Sequence, residues 1–197
     1  MQLTMNLMGI EVMHFKFCPR CAQQLQPMDK DGKIRPYCSR CLELYYRNPT
    51  VGVAVVLMRS DRILLVRRNG SYAGMWCIPC GHVEWDEDIR LAGVREFKEE
   101  TGLDVALGPV IDAHSNFHDP EKQTVGVWFW SECTGGRLEP GTDAQEARFF
   151  PLKGLPAEMA FPTDRFVCEK IDAYKSSGRL KAWLKACGAE SDTSLFE

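Results

Sequence analysis

Apolar positions along the chain group into short runs separated by turn residues, with one long helical stretch between them. Residues 51–58 form an apolar run rich in β-branched side chains, Ser60-Asp61 supplies a turn, and 63–66 continues apolar. That pattern predicts a hairpin of buried strands. Residues 76–79 predict a short strand leading into a loop at Gly81, and residues 88–101 predict a helix. Asp86 is the N-cap candidate, Glu87 and Asp88 place negative charge on the first turn, and Gly102 sits where a left-handed residue ends the helix. Further on, 125–130 predicts a strand, 134–141 a loop and 147–150 a short strand before Pro151. A second helix is expected over 163–175, with Val167, Ile171 and Tyr174 on one stripe, stopping at Ser176-Ser177-Gly178.

Composition narrows the class. Lys and Arg number 24 against 27 Asp and Glu, a net charge of -3, so the whole chain lacks the strongly basic character of a general nucleic-acid binder. Any polyanion it handles is expected to be small. The longest apolar run, 51–58, falls far short of the roughly 20 residues needed to span a bilayer. Residues 1–13 have no basic segment before Lys16 and no small-residue cleavage site, so they read as a flexible leader and not a signal peptide. Residues 189–197 read as a disordered tail. The nine cysteines are odd in number, which fits a reducing, cytoplasmic setting better than an oxidised scaffold.

Four of those cysteines, Cys18, Cys21, Cys38 and Cys41, form a Cys-x2-Cys-x16-Cys-x2-Cys pattern within residues 14–48. Two close pairs can converge as knuckles on a tetrahedral ion, and a segment this short cannot bury a core of its own, so a structural zinc ribbon is expected. Lys16, Arg20, Lys30, Lys33, Arg35, Arg40 and Arg47 outnumber Asp29, Asp31 and Glu43, making it locally basic. Asn48-Pro49 marks the boundary to a second domain over 49–188. Cys77-Ile78-Pro79-Cys80 reads as a pair of small, half-buried fillers, and Cys133, Cys168 and Cys187 as ordinary thiols.

The chemistry concentrates in residues 81–103. At about 100° per residue, Glu99 and Glu100 lie roughly 60° and 40° to either side of Glu96, so the three carboxylates share one helix face. Such crowding of like charge calls for a cation, and all-oxygen donors suit Mg²⁺ or Mn²⁺, which keep waters and bind substrate phosphates. Arg95, four residues before Glu99, can orient a carboxylate, and Gly81 lets the backbone come close. A Glu-rich helix alone reads as a solvated face. Here, however, nine specified positions match the pattern Gly-x5-Glu-x7-Arg-Glu-U-x-Glu-Glu-x-Gly-U, with U a bulky apolar residue, from Gly81 to Leu103.

That segment resembles the signature of the Nudix hydrolases. The resemblance implies an α+β fold, an α/β/α sandwich with a mixed sheet, whose loop–helix–loop box holds divalent metal against a diphosphate. It implies metal-ligand roles for Glu96, Glu99, Glu100 and the Gly81 carbonyl, and orienting roles for Arg95 and Glu87. The general base is left open among Glu99, Asp143 and Glu146. Leu64-Leu65-Val66-Arg67-Arg68 and Gly74-Met75-Trp76-Cys77-Ile78-Pro79 are similar to the flanks of the box, with Cys80 at a position often held by Gly or Ala and Trp85-Asp86 replacing a common x-Gly before Glu87.

Tyr45-Tyr46-Arg47-Asn48-Pro49 is similar to the join in the ribbon-bearing branch of FAD, ADP-ribose and NADH pyrophosphatases. The resemblance implies hydrolysis of a nucleoside diphosphate linked to another moiety, with release of AMP. Residues 111–121 lack the Ser-Gln-Pro-Trp-Pro-Phe-Pro element of the NADH-directed branch, and Phe161-Pro162-Thr163 points to the FAD and ADP-ribose type. Candidate substrate-side residues are Arg68, Trp128, Trp130, Asp143 and Glu146. Core packing is the competing role for the two tryptophans, and His114 and His118 fall in an expected loop. Two alternatives stay open: an NADH or NAD-capped RNA pyrophosphatase, and a nucleotide sensor whose basic ribbon contacts nucleic acid. The expected partners are a small nucleotide and, by resemblance, a second copy in a homodimer; neither membrane nor nucleic acid is favoured.

Overall fold

The computed structural model of the protein describes residues 15–141 and 143–188. The expected leader 1–13 and tail 189–197 lie outside these residues. Two compact units divide between Asn48 and Pro49.

The first unit is a three-stranded antiparallel sheet in the order β1-β2-β3, from β1 (Gln26–Lys30), β2 (Lys33–Cys38) and β3 (Glu43–Leu44). Asp31 and Gly32 both take positive φ, 55° and 77°, as a two-residue hairpin turn requires. Its buried core is Cys18, Leu25 and Cys38, with Cys21, Cys41 and Tyr45 packed against it. So little aliphatic surface stabilises poorly by burial alone, and the cysteines form the centre of the unit.

The second unit is built on a mixed sheet with the order β10-β5-β4-β9-β8. Its strands are β4 (Thr50–Arg59), β5 (Arg62–Arg68), β8 (Leu103–Asn116), β9 (Thr124–Gly136) and β10 (Ala144–Pro151). The short β6 (Trp76–Cys77) and β7 (Cys80–His82) pair with β5 and β4. β4 and β9 run parallel, and the other neighbours are antiparallel. The helices are α1 (Ile89–Thr101), α2 (Pro162–Ser176) and α3 (Arg179–Ala186).

Period-two alternation sends successive side chains to opposite faces and thereby sorts the core into layers. From β4, Val55 and Leu57 join Leu64, Leu103 and Val105 around Phe97 of α1. Val53, with Phe129 of β9, packs on Ala92 of the same helix. Ala54 and Val56 point the other way, with Ile63, Leu65, Trp128 and Trp130, against Val167, Cys168 and Ile171 of α2 and Leu180 and Leu184 of α3. The result is the expected α/β/α sandwich, with α1 on one face and α2 and α3 on the other.

The structure departs from the sequence reading at three places. The N-cap of α1 is Asp88 and not Asp86: its Oδ1 accepts from the N–H groups of Arg90 at 2.9 Å and Leu91 at 3.4 Å. Glu87 N–H donates to the Glu84 carbonyl at 3.2 Å, which puts Trp85 and Asp86 in a turn and delays the helix. Gly102 ends it at φ 73°, as the sequence predicts. Strand β8 escapes the sequence pattern because Gly108-Pro109 and three register shifts against β9 break its alternation, and His114 consequently lies in a strand and not a loop. Helix α3 follows Gly178 with no capping side chain and is only eight residues long.

A buried carboxylate ties α2 to the segment before β7 and to β9. Asp164 of α2, 1% exposed, accepts from Ile78 N–H and from Trp128 Nε1–H, each at 2.9 Å. Asp164→Ala leaves both donors buried without a partner, so urea unfolding should show a loss on the order of 3 kcal/mol. A loss below about 1 kcal/mol would show that the tie contributes little.

Candidate functional site

Strand β7 and helix α1 assemble the box. Cys80, Gly81 and His82 pair antiparallel with Ala54, Val53 and Gly52 of β4, which fixes the glycine beside the helix. A Cβ on Gly81 would lie 1.9 Å from Cδ of Glu96, so the Glu96 carboxylate occupies the space any other residue would fill. Gly141 plays a matching part at the far end, where a Cβ would meet the Glu99 carbonyl oxygen at 1.7 Å.

The three helix carboxylates have different surroundings. Glu100 points inward, 6% exposed, and its Oε2 accepts from Cys80 N–H at 2.9 Å. Burial pushes its carboxyl up to about 7, with the Cys80 N–H and the Arg68 charge opposing and Glu96 and Asp143 adding to the rise. Glu96 rests on Gly81, and Glu99 is the outermost, with 57% of its side chain exposed.

Arg95 connects two of them, Glu96 and Glu99, to Glu87. Its Nε and Nη2 donate to the two oxygens of Glu87, both at 2.8 Å, and Nη1 donates to Glu96 Oε1 at 2.8 Å and Glu99 Oε2 at 3.3 Å. Nη2 also reaches the His82 carbonyl at 3.3 Å, tying the helix to the β7 loop. The paired hydrogen bonds from Arg95 hold Glu87 below its usual range. One guanidinium thus contacts three carboxylates, Glu87, Glu96 and Glu99, while Glu100 is held by the Cys80 N–H instead. Glu96, Glu99, Glu100 and the Gly81 carbonyl offer oxygen donors of the kind a hard divalent cation takes; Glu96 packs directly on Gly81, while Glu100 turns inward to the Cys80 N–H and Glu99 outward.

Beside the box opens a cavity of about 440 Å³, within the range of small-ligand sites. Cys80, Gly81 and His82 form one end; Arg68, Tyr72 and Phe161 line another part, and Trp128 and Asp164 also contribute. Arg68 is fixed by Nε–H donation to the Ser71 carbonyl at 3.1 Å and by Nη1 contacts to the Cys77 and Cys80 sulfurs at 3.5 and 3.6 Å.

Of the other substrate-side candidates, Trp128 lines the cavity but is 3% exposed, its ring folded over Gly126. Trp130 lies in the apolar core against α2 and α3, 4% exposed, and does not line the cavity. Asp143 is near enough for its charge to act on Glu100, whereas Glu146 faces Arg148 at 3.4 Å. Neither lines the cavity. Tyr72 and Asn116, which do, carry no periodic or motif signal in the sequence.

In the first unit the ligand atoms of Cys18, Cys21, Cys38 and Cys41 all lie within 4.8 Å of one another, a set that could hold a metal ion. The Cys18 thiol sits low, at about 6: burial works against ionisation, but hydrogen bonds from Tyr45 and from the N–H groups of Arg20 and Cys21 outweigh it. No helix among the described residues is long and apolar enough to cross a membrane.

A sandwich whose carboxylate helix faces a glycine cradle defines the class as a Nudix domain. Residues 48–169 match the NUDIX domain, and the chain belongs to the Nudix family. It is 36% identical over 124 residues to an ADP-ribose pyrophosphatase of Methanocaldococcus jannaschii, spanning 62% of this chain and 73% of that one. It is 29% identical over 168 residues to the NAD-capped RNA hydrolase NudC of Pseudomonas aeruginosa, covering 84% of this chain but only 58% of that one. Among solved structures, a NUDIX hydrolase from Nitrosomonas europaea shares the fold with a TM-score of 0.73 at 24% identity, over 84% of this chain and 94% of the other.

The raised carboxyls of Glu100 and Asp164, each at about 7, give a signed pH dependence. Both bind a proton more tightly folded than unfolded, so their stabilising contribution is full below about pH 4 and is lost as pH rises to about 7. Chemical denaturation in metal-free buffer should show stability falling across that window. Glu100→Gln, which keeps an acceptor for Cys80 N–H, should flatten the fall; an unchanged slope would contradict the burial-driven shift.

Proposed function

We propose that the chain is a divalent-metal-dependent pyrophosphohydrolase that cleaves the diphosphate of a nucleoside diphosphate linked to another moiety, of the ADP-ribose or FAD type, and releases AMP. The observation that carries this reading is the juxtaposition of an Arg95-balanced carboxylate box with a cavity that Cys80, Gly81 and His82 also line. The name of the archaeal relative, ADP-ribose pyrophosphatase, supports the substrate class.

Glu96, Glu99, Glu100 and the Gly81 carbonyl would hold Mg²⁺ or Mn²⁺. Such an ion supplies neutralisation of diphosphate charge and a more acidic bound water. Arg95 and Glu87 hold the carboxylates in position, since Arg95 touches both Glu96 and Glu99 while Glu87 fixes two of its nitrogens. Glu99, the most exposed of the three, and Asp143, whose charge reaches Glu100, are the candidates to take the proton from the attacking water. Arg68 faces the cavity as a cation for a phosphate. The cysteine quartet holds Zn²⁺ as a closed structural site, and the protein works in the cytoplasm as a homodimer.

A second reading is hydrolysis of an NAD cap on RNA. It is favoured by the match to the Pseudomonas relative, which reaches across 84% of this chain. One assay separates the readings: the full chain with Mg²⁺ and FAD, ADP-ribose, NADH, diadenosine polyphosphates or NAD-capped RNA, with products resolved chromatographically. ADP-ribose or FAD is expected to yield AMP, and Glu99→Gln to slow that release on the order of a hundredfold. Turnover by Glu99→Gln equal to the unaltered protein would overturn the assignment of the box.

A further inference from the structure

Three aromatic rings from separate segments meet at the cavity. Tyr72 comes from the loop after β5, His118 from the loop after β8, and Phe161 from the residue capping α2. Their centroids are 5.5 Å apart for Tyr72 and Phe161, 5.6 Å for His118 and Phe161, and 5.8 Å for Tyr72 and His118. All three rings tilt against one another and all three line the cavity. Two ring contacts in series span at least about 9 Å, so no further ring fits between them. A ligand ring would instead lie on the cavity side of the cluster.

Backbone geometry singles out the same residue. Tyr72 has φ 60°, a left-handed conformation that costs a bulky side chain free energy and that folds retain where surrounding contacts impose it. Those contacts are present. Arg68 Nε–H donates to the Ser71 carbonyl at 3.1 Å, Met75 N–H to the Tyr72 carbonyl at 3.0 Å, and Gly74 N–H to the Arg68 carbonyl at 2.9 Å. Tyr72 is nonetheless 36% exposed, so packing in the core does not account for its placement.

The order of groups along the cavity is also informative. Cζ of Arg68 lies 5.2 Å from the Phe161 ring centre, and Nη1 of the same residue lies 3.6 Å from Cys80 Sγ. Cys80 in turn donates its N–H to Glu100. Rings, a fixed cation and the Cys80–Gly81 edge of the box therefore follow one another. A nucleotide has the same sequence of chemistry: a flat base, then a sugar, then anionic phosphate. Trp128, at 3% exposure and with its ring over Gly126, offers no comparable face.

We infer that Tyr72, His118 and Phe161 form the seat of the substrate's nucleobase, making the site selective for diphosphates that carry a flat heteroaromatic base over those that do not. This rests on the hydrolase reading for its substrate, but its test does not depend on turnover. Isothermal titration of the unaltered full chain compares AMP with ribose 5-phosphate, which has the same phosphate and sugar but no base.

AMP is expected to bind at least about tenfold more tightly. Tyr72→Ala and Phe161→Ala should each weaken AMP several-fold and leave ribose 5-phosphate unchanged, with Tyr72→Phe restoring most of the preference. In turnover, KM for ADP-ribose should rise more than kcat falls. Equal affinity for AMP and ribose 5-phosphate in the unaltered protein overturns the seat, whatever the variants do. A clear AMP preference without any hydrolysis would leave the seat standing and bring down the hydrolase reading. Hydrolysis of 5-phosphoribosyl diphosphate as efficient as that of ADP-ribose would do the reverse.

Discussion

Crowding of negative charge around one guanidinium constrains the second unit more than any other interaction. Glu87, Glu96 and Glu99 all contact Arg95, whose side chain is 33% exposed. Like charges at this spacing on a helix repel, and water screens them only in part where Glu87 and Glu96 are mostly covered. Gly81 and Gly141 follow from the same constraint. Each lies where a side chain would displace the helix or its carboxylates, and without them the charges could not pack against β7 and the strap before β10.

The sheet sets where this cluster stands. Alternation along β4 gives one face to α1 and the other to α2 and α3, so the box stands on one layer, while the rings reach the cavity from the loops after β5 and β8 and from the start of α2. Asp164 joins α2 to the segment that leads into the box, reaching to Ile78, two residues before Cys80, and to Trp128 in β9. The cavity lining runs from the aromatic rings, through Arg68, to Cys80, whose N–H is held by Glu100 of the box.

Much of this was legible in the chain. The β4–β5 hairpin, α1 with its Gly102 terminus, α2 and the four-cysteine cluster all follow from period, turn chemistry and spacing, which are local signals. The nine-position match placed the carboxylates on the helix that carries them. What local pattern could not supply was long-range pairing: β8 hides behind three register shifts, and Trp130 reads the same as Trp128 until the cavity, lined by Trp128 alone of the two, separates them. The N-cap at Asp88 was obscured because Asp86 is as good a capping side chain. Tyr72 and Phe161 lie 89 residues apart in sequence, so their meeting is a property of the fold alone.

The balance of charge at Arg95 can be measured without reference to substrate. Arg95→Met removes the cation and keeps much of the apolar stem, so in metal-free buffer at pH 8 its unfolding midpoint in urea should fall well below that of the unaltered protein. Millimolar Mg²⁺ opposes the same repulsion and should recover much of the deficit, stabilising the variant more than the parent. A variant as stable as the parent without metal, or one whose deficit Mg²⁺ leaves unchanged, would contradict the claim that the site is organised around this charge balance.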